Sequence, residues 1–99
     1  MDVNIMNKKM NIKEMYKEYE NDPEFMKGLM VTNFLSEVYE IMENNHITKS
    51  ELAKRMKVSR QYITKLFTGY ANFTLMTLVQ ISIALGVKPE IKLKGKVNE

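Results

Sequence analysis

The stretch ITKSELAKRMKVSRQYITKLFTG, residues 47–69, sets the tightest constraint on the fold. Leu52, Met56, Ile63, Leu66 and Phe67 would share one stripe of a single continuous helix, but Val58 would not. At about 100° per residue, Val58 would project from the opposite, solvent-facing side. Neither glycine nor proline lies between Leu52 and Phe67 to force a break. The capping residues resolve the conflict. Thr48 followed by Glu51 is a capping-box pattern: the hydroxyl accepts from the Glu51 N–H and the glutamate reaches back. Ile47 before that cap and Leu52 four residues past it make a hydrophobic staple. Ser59 repeats the construction with Val58 and Ile63, and Thr74 repeats it with Phe73 and Leu78. Val58 is therefore the staple of a second short helix, folded inward by a turn at Met56–Ser59. Lys57 is expected in the left-handed backbone region that glycine usually fills. That conformation costs a non-glycine residue about 1–2 kcal/mol, which good caps at about 1 kcal/mol each offset.

The rest of the chain is read the same way. Ile12, Met15, Tyr16 and Tyr19 have helical spacing and predict a short amphipathic helix within an N-terminal extension, residues 1–22. Asp22 before Pro23 suits the cap and first turn of a new helix. From Glu24 to about Asn44, Met26, Leu29, Met30, Phe34, Val38, Ile41 and Met42 recur at three- and four-residue intervals, the mark of a long helix with a broad apolar face. A last helix spans Leu75 to Leu85, closed by Gly86 in a left-handed cap. VKPEIKLKGK then alternates, with Ile91 and Leu93 on one side and Glu90, Lys92 and Lys94 on the other, which predicts one short strand. A lone strand leaves its backbone unpaired, so it is expected to join another segment or its own copy in a dimer. The expected fold is mainly α: five helices with a long N-terminal helix, a helix-turn-helix domain over 23–95 and one C-terminal strand.

Composition narrows the function classes. Ninety-nine residues suit one small core. There is no cysteine, hence no disulfide and no thiolate zinc site. No apolar run reaches the roughly 18–20 residues that cross a bilayer, which points to a soluble cytoplasmic protein. The formal charge of +3 is unevenly divided. Residues 11–45 carry three lysines against eight acids, 3 − 8 = −5, whereas residues 46–69 carry Lys49, Lys54, Arg55, Lys57, Arg60 and Lys65 against Glu51, 6 − 1 = +5. The positive pole coincides with the two short helices. Such a patch attracts polyanions, nucleic acid above all, although a solvated lysine-rich face has the same composition.

Two short helices joined by a tight turn, the second polar and basic on its free face, describe a helix-turn-helix. A helix entering a major groove about 12 Å wide needs long polar side chains in its first turns. Arg60, Gln61, Thr64 and Lys65 meet that need; arginine can pair bidentately with guanine and glutamine with adenine. Tyr62 is placed to contact the DNA backbone or a thymine methyl. Ile63 and Leu66 are expected to face the core.

TKSELAKRMKVSRQYITKLFTG followed by NFTLMTLVQISIALGV resembles the Xre/Cro-like helix-turn-helix family of bacterial and phage repressors, over roughly residues 30–87. Ala53 matches the family's close helix–helix contact, Val58 its turn and Ile63 its recognition-helix core position. The resemblance implies base contacts from Arg60, Gln61 and Lys65. It implies phosphate contacts from Lys49 and from Asn72 with Thr74, and the basic turn residue Lys57 joins that set. Lys57 departs from the family's usual glycine. ALGVKPEIKLK after a long helix is also similar to HigA-type antitoxins, which bind a toxin and repress their own operon. The expected partners are a double-stranded DNA operator, a second copy of the chain and, on the antitoxin reading, a toxin protein.

Other features carry less. His46, the only histidine, stands at a helix end without a partner pattern and reads as an exposed terminal residue rather than a metal ligand or base. Glu40/Glu43 and Glu18/Glu20 read as solvated faces. No glycine-rich phosphate loop, metal cluster or nucleophile–base pair is visible, so neither an enzyme nor a cofactor is expected. Met26 and Met30 read as core. Met6 and Met10, in a polar tail, suit either an adaptable partner surface or plain disordered chain.

Overall fold

The structure, a computed structural model, describes residues 11–69 and 72–95; Met6 and Met10 lie outside them. The described residues form five helices: α1 (Ile12–Tyr19), α2 (Pro23–Asn44), α3 (Lys49–Met56), α4 (Arg60–Thr68) and α5 (Leu75–Leu85). The chain divides into two compact units, residues 1–36 and 37–99, with the division falling inside α2.

In the first unit, α1 begins with a full capping box. Asn11 Oδ1 accepts from the Glu14 N–H at 2.7 Å, and Glu14 Oε1 accepts from the Asn11 N–H at 3.1 Å. None of its residues is buried, and Ile12 is 81% exposed. Asp22 caps α2 as expected, its Oδ1 accepting from the Glu24 N–H at 3.0 Å. Tyr19 and Phe25 approach with ring centroids 5.4 Å apart. Among the described residues of this unit Leu35 is buried, and Met26 is half-buried. Met30, expected in the core, is 62% exposed. The buried Leu35 lies about 140° round the helix from Met30, so the two do not share one covered side.

The second unit holds the core. Leu52, Ile63, Leu66 and Ile81 are fully buried, joined by Val38, Met42, Ala53 and Leu85. Each fully buried aliphatic side chain contributes about 1.5–3 kcal/mol of transfer free energy. Helix α3 packs against both α4 and α5, and the small Ala53 lies buried on it. Two polar side chains enter this core with their hydrogen bonds made: Ser82 Oγ donates to the Leu78 carbonyl at 2.8 Å, and Thr77 Oγ1 lies 3.1 Å from the Thr74 hydroxyl.

Three helix ends share one reversal, a pair of backbone bonds spanning five and three residues around a left-handed residue. After α2, Ile47 N–H reaches Met42 O and His46 reaches Glu43 O, with His46 at φ 55°. After α3, Val58 reaches Ala53 O and Lys57 reaches Lys54 O, with Lys57 at φ 59°. After α5, Val87 reaches Ser82 O and Gly86 reaches Ile83 O, with Gly86 at φ 75°. The expected turn at Lys57 is thus present. The left-handed His46 was not anticipated, because ENNH carries no glycine to mark it.

The predicted strand is not formed. Residues 87–95 adopt no regular structure, and Ile91 and Leu93 are 63% and 96% exposed. A strand is defined by the ladder it shares, and the other described residues of the chain are helical or lie in short connections.

Candidate nucleic-acid interface

Helix α4 is anchored by local chemistry. Ser59 adopts extended backbone and its Oγ accepts from the Tyr62 N–H at 3.1 Å; Gly69, at φ 83°, closes the far end. Taking Arg60 as zero, a step of about 100° per residue puts Arg60, Gln61, Thr64 and Lys65 within an arc of about 140°. Ile63 and Leu66 fall on the opposite side, with Tyr62 and Phe67 on the two borders. The burial follows this wheel: Arg60, Gln61, Thr64 and Lys65 are exposed, Ile63 and Leu66 buried, Tyr62 and Phe67 half-buried. Arg60, Gln61 and Thr64 also line one shallow, open depression. The hydrophobic core therefore holds α4 from behind and turns the four proposed base-contacting side chains outward together.

Electrostatics single out the same helix. Helices α1, α2 and α3 each carry a glutamate in the first turn, Glu14, Glu24 and Glu51, while α4 and α5 carry no acid there. A helix start has unpaired N–H groups and the positive end of the peptide dipoles. In α4 and α5 no first-turn carboxylate offsets that field, an arrangement that favours an anionic phosphate.

The remaining candidates surround α4. Lys57 is exposed in the α3–α4 turn. Asn72 is exposed just before α5, and Thr74 caps that helix, its hydroxyl accepting from the Thr77 N–H at 3.2 Å. Lys49 opens α3, and its ammonium stands over the ring of Phe67, 5.6 Å from the centroid. Phe67 in turn packs against Tyr39 at 4.7 Å between centroids. This Tyr39–Phe67–Lys49 stack had no signature in the chain, since its members lie 10 and 18 residues apart.

Two expected details change. Thr48 Oγ1 accepts from the Glu51 N–H at 3.0 Å, but Glu51 does not complete the box. Its carboxylate binds Arg55 Nε at 3.1 Å instead. A charged guanidinium one turn away is a stronger partner than a single neutral backbone N–H. Arg55 also donates from Nη1 to the Ala84 carbonyl at 3.1 Å, satisfying an otherwise open carbonyl at the end of α5. Arg55 is therefore a structural tie between α3 and α5. The cations left to face an anion in this region are Lys49, Lys54, Lys57, Arg60 and Lys65.

A capped pair of short helices around a left-handed turn, with a polar, acid-free second helix facing solvent, defines a helix-turn-helix DNA-binding module. The family model described as Helix-turn-helix matches residues 38–92, 55 of the 99 residues, and the chain belongs to that family of Xre/Cro-like DNA-binding regulators. No curated protein and no solved structure matches the chain. Among the described residues, no helix is long and apolar enough to cross a membrane, and no group of three or more His, Cys, Asp or Glu side chains comes together as a metal site would need.

Proposed function

We propose that the protein is a sequence-specific transcriptional repressor that binds the operator of its own gene as a dimer. The exposed polar face of α4, set by Ile63 and Leu66 on its buried side, carries this reading. Arg60, Gln61, Thr64 and Lys65 read base edges in the major groove. Lys49, Lys57, Tyr62, Asn72 and the α5 start capped by Thr74 hold the sugar-phosphate backbone on either side. One short recognition helix buries little surface, and a two-fold pair of them, about 34 Å apart on successive turns of one DNA face, doubles the contact. The test is binding to DNA from upstream of the gene, against a scrambled duplex, across a salt series. The expected result is nanomolar affinity for the upstream DNA and at least about a thousandfold weaker binding to the scrambled duplex. Equal and steeply salt-dependent binding to both would reduce the basic helices to a nonspecific charge.

A second reading is favoured by α1. Its apolar residues Ile12, Met15, Tyr16 and Tyr19 are all exposed, and its surroundings are acidic. The Tyr19 phenol is held above its ordinary pKa by the Glu18 charge and a hydrogen bond with Glu18, with Asp22 adding to the effect. An amphipathic helix in an acidic segment fits a basic protein surface, as an antitoxin masking an RNA-directed toxin would present. Co-purification with a small basic protein encoded beside the gene, lost in an Ile12→Asp/Tyr16→Asp double variant that still binds the operator, is the expected outcome for an antitoxin.

A further inference from the structure

Of the five cations left on and around α4, Lys54, Lys57, Arg60 and Lys65 are exposed, whereas Lys49 is half-buried. Its ammonium stands 5.6 Å from the centroid of the Phe67 ring, and no carboxylate among the described residues pairs with it. Phe67 is itself packed against Tyr39, with centroids 4.7 Å apart and ring planes at 57°. We propose that Tyr39 and Phe67 are positioning residues for DNA binding: the two rings fix the Lys49 ammonium, at the start of α3, where it takes a phosphate oxygen of the DNA backbone.

The chemistry of the seat decides what it can do. A cation within about 6 Å of a ring centroid is drawn to the negative face of the ring. That attraction holds the ammonium without cancelling its charge. Arg55 shows the alternative. Its guanidinium lies 3.1 Å from the Glu51 carboxylate and also donates to the Ala84 carbonyl, so its charge is compensated and its donors are committed to the fold. An ammonium has three N–H donors around one nitrogen. With a ring on one side, Lys49 keeps donors for an anion on the other, and no carboxylate has to be displaced first.

Position is what the rings add to charge. A lysine loose in solvent has among the largest rotamer freedom to lose when it is fixed, and that loss is subtracted from binding. Lys49 already rests on the protein. Three helices supply the device: Tyr39 from α2, Lys49 from α3 and Phe67 from α4, all within the unit of residues 37–99. Tilted ring packing is a favoured aromatic arrangement, and it keeps the Phe67 ring from turning away from the ammonium. Tyr39 therefore acts on the phosphate through Phe67 and Lys49. Because Phe67 borders the polar face of α4, the same stack fixes Lys49 relative to Arg60, Gln61, Thr64 and Lys65. Backbone contacts set the register in which base contacts are read.

The inference rests on the DNA-binding reading, and part of its test needs no DNA. An aromatic ring moves the NMR signals of protons held over its face upfield. The Lys49 ε-methylene signals of the full chain are expected upfield of those of the other lysines, and to return toward them in Phe67→Leu and Tyr39→Leu. Binding to the upstream DNA and to the scrambled duplex is then measured across a salt series for the wild type and four variants: Tyr39→Leu, Tyr39→Phe, Lys49→Ala and Tyr39→Leu/Lys49→Ala. Tyr39→Leu is expected to weaken binding to both duplexes by about two- to fivefold, the scale of one cation–π contact. Its salt slope should stay near that of the wild type, because the lysine remains. Tyr39→Phe keeps the ring and is expected to restore the affinity. In the Lys49→Ala background, Tyr39→Leu should cost nothing further, as two residues acting through one contact require. Unshifted Lys49 signals in the wild type overturn the inference. So does a loss from Tyr39→Leu that is equal with and without Lys49, or a loss in Tyr39→Phe equal to that in Tyr39→Leu. Equal affinity for the two duplexes with the coupling intact sinks the sequence-specific repressor and leaves the positioning role standing; specific binding without the coupling does the reverse. No binding to either duplex removes both.

Discussion

Helices α1 and α4 have eight and nine residues, each is amphipathic, and each starts on a side-chain cap, Asn11 in one and Ser59 in the other. Their outcomes differ completely. Helix α4 buries Ile63 and Leu66 to zero exposure, whereas α1 buries nothing. The caps of the two helices are of similar quality, and α1 even has the full box. The difference lies in what each helix meets. Caps and periodicity settle where a helix starts and which side is apolar, but helical stability in a protein comes mostly from packing that side against something. In α4 the packing also orients the site, because committing two residues to the core turns four others toward solvent as a group.

The comparison breaks most directly on core truncation. Leu66→Ala should cost about 2–5 kcal/mol in urea or thermal unfolding, while Ile12→Ala in α1 should stay within about 0.5 kcal/mol. Equal losses would mean that α1 is packed after all. Next in size is the exposed face of α4. Gln61→Ala should weaken binding to the cognate operator by about 1–3 kcal/mol and relax one base pair, with no shift in melting temperature. Lys49→Ala should instead weaken all sequences alike and flatten the salt slope by about one unit. If both variants lost affinity in the same sequence-independent way, the division between base and phosphate contacts would collapse.

Smaller effects sharpen the contrast between local and tertiary stabilisation. Gly28, inside α2, has open space where a Cβ would sit, so Gly28→Ala should stabilise the chain by up to about 1 kcal/mol. Lys57→Gly should stabilise it by between zero and about 1.5 kcal/mol. It relieves a left-handed strain of about 1–2 kcal/mol but frees the unfolded chain by about 0.4–1 kcal/mol in the opposing direction. A loss of stability on Lys57→Gly would show that the lysine side chain itself contributes to the turn.

The helix-turn-helix was legible because its signals are local. Val58 off the stripe, Ser59 placed to cap and Ile63 four positions on are all read within a single turn of chain, and the structure bears each of them out. The polar face of α4 follows from the same arithmetic. The Glu51 carboxylate was expected to complete the Thr48 capping box, but the Arg55 guanidinium one turn on takes it, because a charged donor outcompetes a neutral backbone N–H. The apolar face of α2 was drawn too wide at Met30, because a helical period shows which residues share a side and not how far coverage extends around it. His46 shows the same limit in the backbone: its left-handed conformation comes from the reversal that returns Ile47 to Met42, and no residue type announces it.

By itself the sequence determined the helix starts, the turn at Lys57, the inward and outward sides of α4 and the separation of acidic from basic charge. Each depends on residues within about one helical turn of one another, where spacing is geometry. Tertiary structure alone decided that Arg55 ties α3 to Ala84, that Tyr39 and Phe67 support Lys49, that α1 stays uncovered and that residues 88–94 remain unpaired within a single chain. Those outcomes depend on which surfaces meet across long stretches of chain, and a one-dimensional pattern records what a residue can bind without recording what is brought to it.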